Sequence, residues 1–236
     1  MGAKKTIKNY LPHESLSSKF FSERNQKLTS VIRNKLLDIA YEFIDYLGIP
    51  IDVLDITMTG SYANYNYTPF SDIDLHIIVN YEELTDIEDL AMEFFKAKKN
   101  FWNDRHDIKV KGVEIELYAQ DISEVHSSTG VYSVKNNKWL VKPKKFKTKI
   151  DENSIYNKFK KIEKEILKVL EDADSKDNEK MVTKFIEKIR KMRKSGLEKS
   201  GELAEENLVY KIIRDKGYLQ KLYDLKTDLF DRNLSY

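Results

Sequence analysis

The chain has 236 residues, enough to bury a sizeable core without staples. It contains no cysteine, which excludes disulfides and cysteine-ligated zinc. Charged residues make up 34% of the chain, yet the formal net charge is only +2, so no global field selects nucleic acid and any basic surface must be local. No apolar run approaches the length of a membrane span, and the expectation is a cytoplasmic protein with no membrane partner.

In chain order, Leu28, Ile32, Leu36, Ile39, Phe43 and Leu47 recur at three- and four-residue steps and predict a helix with one buried stripe, ended by Gly48 and Pro50. Ile51 to Thr59 then reads as a first strand running into Gly60 and Ser61. Gly60 permits close approach of the backbone to a phosphate, and Ser61 offers a hydroxyl and an N–H beside it.

From Ser71 to Val79 side chains alternate across the sheet: Asp72, Asp74 and His76 share one face, Ile73, Leu75 and Ile77 the other. Two carboxylates side by side repel unless a cation lies between them. Hard oxygen ligands close to a phosphate point to Mg²⁺ or Mn²⁺.

Gly60-Ser61, a short variable segment, then Ser71-Asp72-Ile73-Asp74-Leu75 resembles the signature of the DNA polymerase β-type nucleotidyltransferase superfamily. The resemblance implies an α+β fold, a mixed sheet flanked by helices, and a third carboxylate on a later strand. One departure stands out. Many members carry a further glycine soon after Gly-Ser, whereas this chain has Ala63, Asn64, Tyr65 and Asn66; asparagine tolerates the left-handed conformation, which would preserve the turn.

Leu84 to Trp102 predicts a second helix, with Leu84, Ile87, Leu90, Ala91, Phe94, Phe95 and Phe101 as its apolar residues and acids preceding lysines in keeping with the helix dipole. Asp107 to Tyr118 reads as two short strands joined at Lys111-Gly112. In the second, Glu114 and Glu116 share a face; Glu116, in mid-strand, is the preferred third carboxylate and Glu114 the alternative. His106 at the entry to the pair reads as a turn residue rather than a catalytic one.

Gly130 to Val134 and Lys138 to Val141 flank Asn136-Asn137 as a hairpin, followed by the basic run from Lys142 to Lys149. Lysines interleaved with Trp139 and Phe146 suit either a linker or a track for a phosphate backbone with a stacked base. From Asn153 onward the chain is helical, with stripes at Ile155, Phe159, Ile162, Ile166 and Val169, at Met181, Phe185, Ile189 and Met192, and from Leu208 to Leu229. Breaks are expected at 174–178, Ser195-Gly196 and Lys216-Gly217. The expected partition is therefore a catalytic domain over 1–150 and a helical bundle over 151–236.

The resemblance implies transfer of a nucleoside monophosphate from an NTP to an acceptor hydroxyl, with pyrophosphate leaving. Asp72, Asp74 and Glu116 would be the catalytic and metal-binding carboxylates for two Mg²⁺ or Mn²⁺ ions. Gly60, Ser61 and Ser71 would bind nucleotide, joined by Lys211 and Arg214, because helical domains of such enzymes lend basic side chains to the triphosphate. RNA or another nucleotide is the favoured acceptor. The alternatives are AMP transfer to a protein and an inactive relative that binds nucleotide or RNA. A hydrolase finds no support, since no Ser-His-Asp pattern or zinc motif is visible among only four histidines.

Overall fold

The computed structural model describes residues 7–124, 128–147, 150–171 and 178–235. The chain divides into two compact units: one spans 12–146, and the other joins 147–236 with the segment before Pro12. That N-terminal segment was expected in the catalytic domain, but Tyr10 is buried and its hydroxyl donates to Asp215 Oδ2 at 2.8 Å, which ties it to the helices.

In the first unit α1 (Ser30–Leu47) buries Ile32, Leu36, Ile39, Ala40, Phe43 and Leu47, the stripe expected. Leu28 lies before the helix instead of starting it; it forms a bridge with Phe21, and its N–H donates to the Tyr132 hydroxyl at 3.2 Å. β1 (Asp55–Thr59) leads to a 3₁₀ turn at Ser61–Ala63 and then to β2 (Ile73–Val79).

The second helix, α2 (Glu88–Arg105), starts later than the apolar spacing predicts. The Asn80 side chain accepts the Glu82 N–H at 3.2 Å and caps a separate 3₁₀ turn at Tyr81–Glu83 instead. Its buried stripe is Ala91, Phe95 and Trp102, while Leu90 and Phe101 are exposed because they lie about 100° or more round the helix from that stripe.

The chain continues through β3 (Lys109–Val110), β4 (Val113–Asp121), β5 (Val131–Ser133) and β6 (Lys138–Val141). The six strands form one mixed sheet in the order β3-β4-β2-β1-β5-β6, with β2 and β4 parallel and the other neighbours antiparallel. A parallel β2–β4 pair needs a crossover, and α2 supplies it. Where the two-residue β3 stops, Asn103 of α2 takes its place: its side chain accepts the Leu117 N–H and donates to the Leu117 carbonyl, both at 3.3 Å.

Ile73, Leu75 and Ile77 of β2 and Ile115 and Leu117 of β4 join one apolar cluster with Leu36 and Phe43 of α1 and Phe95 and Trp102 of α2. The opposite face of the same strands carries the polar residues. Trp139 does not offer its ring for stacking a base: it stacks on Phe21 with centroids 5.3 Å apart, and its indole N–H donates to the Gln26 carbonyl at 2.7 Å. Phe146 packs on the same core. Lys145 pairs with Glu14 at 2.8 Å, and Thr148 and Lys149 of the basic run lie outside the described residues.

The second unit contains α3 (Glu152–Glu171), α4 (Asn178–Ser200), α5 (Glu205–Asp215) and α6 (Tyr218–Leu234). The α3 stripe is as expected. In α4 the buried Val182 and Ile186 lie one position on from the expected Met181 and Phe185, while Ile189 is buried as expected, because that register places β-branched side chains inward and the longer ones at the rim. The break expected at Gly196 is absent. A Cβ there would lie 2.6 Å from Glu206 Cβ, so this glycine serves close packing within a continuous helix. Most of the expected break at 174–178 lies outside the described residues, and Gly217 does separate α5 from α6.

Candidate active site

Backbone register assembles the site. On β1, β2 and β4 the residues Thr59, Asp74 and Glu116 are direct cross-strand neighbours, Asp74 opposite Thr59 and beside Glu116. Thr57, His76 and Tyr118 form the next row on the same face. Asp72 lies just before β2 and is half-buried, as are Asp74 and Glu116. Glu114 is exposed and pairs instead with Lys109 on β3 at the edge of the sheet.

Gly60 follows β1 with φ 71° and ψ −162°, a conformation essentially restricted to glycine. The residue is needed for space as well. A Cβ on Gly60 would meet Asp74 Oδ2 at 1.8 Å, so the Asp74 carboxylate occupies the volume of the missing side chain. The turn and the carboxylate are therefore built as one feature.

The positions where relatives carry a second glycine are filled differently than expected. Asn64 is not left-handed but extended, at φ −137°. It stabilises the turn through its side chain: Nδ2 donates to the Gly60 carbonyl at 2.7 Å, and Oδ1 accepts from the Thr129 hydroxyl at 2.8 Å. Ser71 caps the end of the loop, its Oγ accepting the Thr68 N–H at 2.9 Å.

Tyr118 stands beside Glu116 on the same face. Its hydroxyl donates to Glu116 Oε2. Burial above all, then the hydrogen bond to Glu116 and the charges of Glu116, Asp74 and Asp72, push the phenol far above its usual range and keep it protonated. Its ring stacks on His76, centroids 4.8 Å apart. His76 is held at both nitrogens, Nδ1 at 2.6 Å from Gln120 Oε1 and Nε2 at 3.1 Å from Thr59 Oγ1.

Lys99 of α2 completes the cluster and was missed from sequence. Its ammonium lies 3.6 Å from the Tyr118 ring centroid. Burial pulls its pKa down, opposed by the charges of Glu116 and Asp74. A signal did exist: Lys99 falls on the stripe of Ala91, Phe95 and Trp102, where an apolar residue belongs.

Among the described residues no three histidine, aspartate or glutamate side chains are close enough together to hold a metal ion between them. The donors do match a hard cation in kind, since Asp72, Asp74 and Glu116 present only oxygen. Lys211 and Arg214 both lie on α5 of the helical unit. Lys211 is largely buried and pairs with Glu202 at 2.9 Å; Arg214 Nε donates to Asp215 Oδ1 at 2.9 Å. No helix among the described residues is long and apolar enough to cross a membrane.

Neither the curated proteins nor the solved structures contain a match to the chain. The family of the nucleotidyltransferase domain does match, over residues 38–204, a span that includes Gly60-Ser61, both aspartates and Glu116. With more than half of the chain covered, the protein belongs to the nucleotidyltransferase domain family, in agreement with the polymerase β-like superfamily that its Gly-Ser and Asp-x-Asp segments resemble.

Proposed function

We propose that the protein transfers a nucleoside monophosphate from an NTP to an acceptor hydroxyl of RNA or of another nucleotide, releasing pyrophosphate, with Asp72, Asp74 and Glu116 as its catalytic carboxylates. The observation that carries this reading is the cross-strand row of Thr59, Asp74 and Glu116, with Gly60 shaped around the Asp74 carboxylate.

Asp72, Asp74 and Glu116 are the residues that would hold two Mg²⁺ or Mn²⁺ ions. Bound there, the ions would supply Lewis-acid activation of the acceptor hydroxyl and neutralise charge on the triphosphate. The acceptor oxygen attacks the α-phosphorus, the bond to the α–β bridging oxygen breaks, and pyrophosphate leaves. The acceptor proton passes to Glu116 Oε1, the oxygen not bonded to Tyr118. By donating to Oε2, Tyr118 fixes the orientation of that carboxylate. Gly60 and Ser61 cradle the β- and γ-phosphates, and Asn64 holds the Gly60 carbonyl so that the turn keeps its shape. For Lys211 the ion pair with Glu202 favours a structural role over contact with the triphosphate.

The test is incubation of purified protein with each α-labelled NTP and Mg²⁺ or Mn²⁺, with and without RNA, and separation of products by size. Extended RNA, or a new oligonucleotide or cyclic product without RNA, is the expected result. Label appearing only on protein would redirect the reading to AMP transfer onto a polypeptide. Nucleotide binding without turnover would make the chain an inactive relative.

A further inference from the structure

The helical unit contains a groove that the transfer chemistry leaves unused. It runs between α4 and α6, has a volume of about 460 Å³, and is lined by Thr183, Glu187 and Arg190 on one side and Tyr223, Lys226 and Phe230 on the other. Arg190 Nε donates to the Tyr223 hydroxyl at 3.1 Å, and its guanidinium carbon lies 5.4 Å from the Tyr223 ring centroid. Phe230 is 49% exposed in the wall of the groove. Among the described residues neither Arg190 nor Lys226 forms an ion pair.

The charge around the groove is one-sided. The α4 segment carries eight lysines and arginines against three glutamates, whereas the lysines and arginines of α6 equal its aspartates in number. In a chain of net charge +2, that concentrates positive potential along one helix. An exposed ring beside two cations that form no ion pair among the described residues fits a base and its phosphate. Cations continuing along α4 beyond the groove fit a strand better than a single nucleotide.

We propose that this groove binds one nucleotide of a single-stranded RNA, its base stacked on Phe230 and its phosphate between Arg190 and Lys226, with the strand continuing along α4. The inference rests on the reading of RNA as acceptor and gives that acceptor a place on the helical unit.

Fluorescence anisotropy with labelled twelve-nucleotide oligo(A) and oligo(U) tests it on the full chain, without NTP. R190E/K226E is expected to weaken binding at least tenfold and to lower the slope of log K against log[salt] by about 0.7, the value for one phosphate contact on a single strand. Phe230→Ala is expected to weaken binding at least fivefold, with Phe230→Tyr restoring it, while circular dichroism shows all variants folded. Lys221→Glu, an exposed change on the same helix outside the groove, is expected to stay within about twofold. Equal losses in Lys221→Glu and the groove variants would overturn the site in favour of diffuse attraction. Displacement of the RNA by free ATP at micromolar concentration, dependent on Phe230, would overturn the strand in favour of a mononucleotide. A wild type that turns over NTP but binds neither oligonucleotide would overturn the groove alone; RNA binding with no turnover would instead sink the transferase reading and leave the groove standing.

Discussion

The two units use carboxylates in opposite ways. On the sheet, Asp74 and Glu116 stand side by side on neighbouring strands with Asp72 just before β2, and the charges of all three help to raise the Tyr118 pKa. In the helical bundle several carboxylates pair with lysines: Glu163 with Lys160 and the Tyr218 hydroxyl, Glu202 with Lys211 and Asn207, Glu205 and Glu206 with Lys158. Like charges set side by side cost stability and are characteristic of functional sites, whereas alternating charges lower the free energy of the fold. The comparison teaches which acids to expect in chemistry and which in folding.

The strongest way to break the contrast is to remove one member of each group. Asp74→Ala should lower turnover by about 10³-fold or more, with the fold retained by circular dichroism, because a half-buried carboxylate on the polar face leaves no cavity in the core. Gly60→Ala should cost about 10²-fold in turnover and about 1–3 kcal/mol in stability, since the new methyl both displaces Asp74 Oδ2 and strains the backbone. Thermal melts alongside initial rates would separate the two effects.

Glu116→Gln and Glu114→Gln sharpen the comparison within one strand. The first should reduce kcat by about 10²-fold and the second should stay within about twofold, because Glu116 adjoins Asp74 while Glu114 faces Lys109 at the sheet edge. The reverse pattern would move the third carboxylate to Glu114.

In the helical unit Lys211→Ala should destabilise by about 2 kcal/mol with KM for NTP unchanged, since it strips a partner from the Glu202 carboxylate. A rise in KM without loss of stability would return Lys211 to the triphosphate. The smallest effect is on pH dependence. For Glu202, burial raises the pKa but is outweighed by the Lys211 charge and hydrogen bond, and the net shift is downward. Glu163 is likewise held low, its burial outweighed by Lys160 and Tyr218. Carboxylates depressed in the folded state contribute stability above their unfolded pKa and lose it as pH falls through the folded value. Melting temperature should therefore drop between about pH 5 and pH 3, and Glu202→Gln should make that drop shallower.

How much of this was legible in the chain follows from the range of each interaction. Asp72 and Asp74 were readable because strand alternation is local, and Ile73, Leu75 and Ile77 mark the buried face opposite them. The adjacency of Asp74 and Glu116 was not, because parallel pairing of β2 with β4 is set by the crossover helix between them. Tyr118 and Lys99 became visible only when β4 and α2 were packed together. Asn64 was read for its backbone tolerance, yet it acts through its amide on the Gly60 carbonyl. In α4 the start of the stripe is offset by one residue from the expectation while Ile189 is not, because Met181 and Phe185 keep the same spacing as Val182 and Ile186, and a one-residue offset turns the helix by only about 100°.

The most direct measurement of the central claim is Mn²⁺ binding in the presence of a nonhydrolysable NTP analogue, followed by electron paramagnetic resonance in wild type and Asp74→Ala. Loss of the free Mn²⁺ signal beyond that caused by the analogue without protein, present in the wild type and nearly absent in Asp74→Ala, is the predicted result. Equal Mn²⁺ binding in the two proteins would show that the carboxylate row beside Gly60 is not the site of transfer.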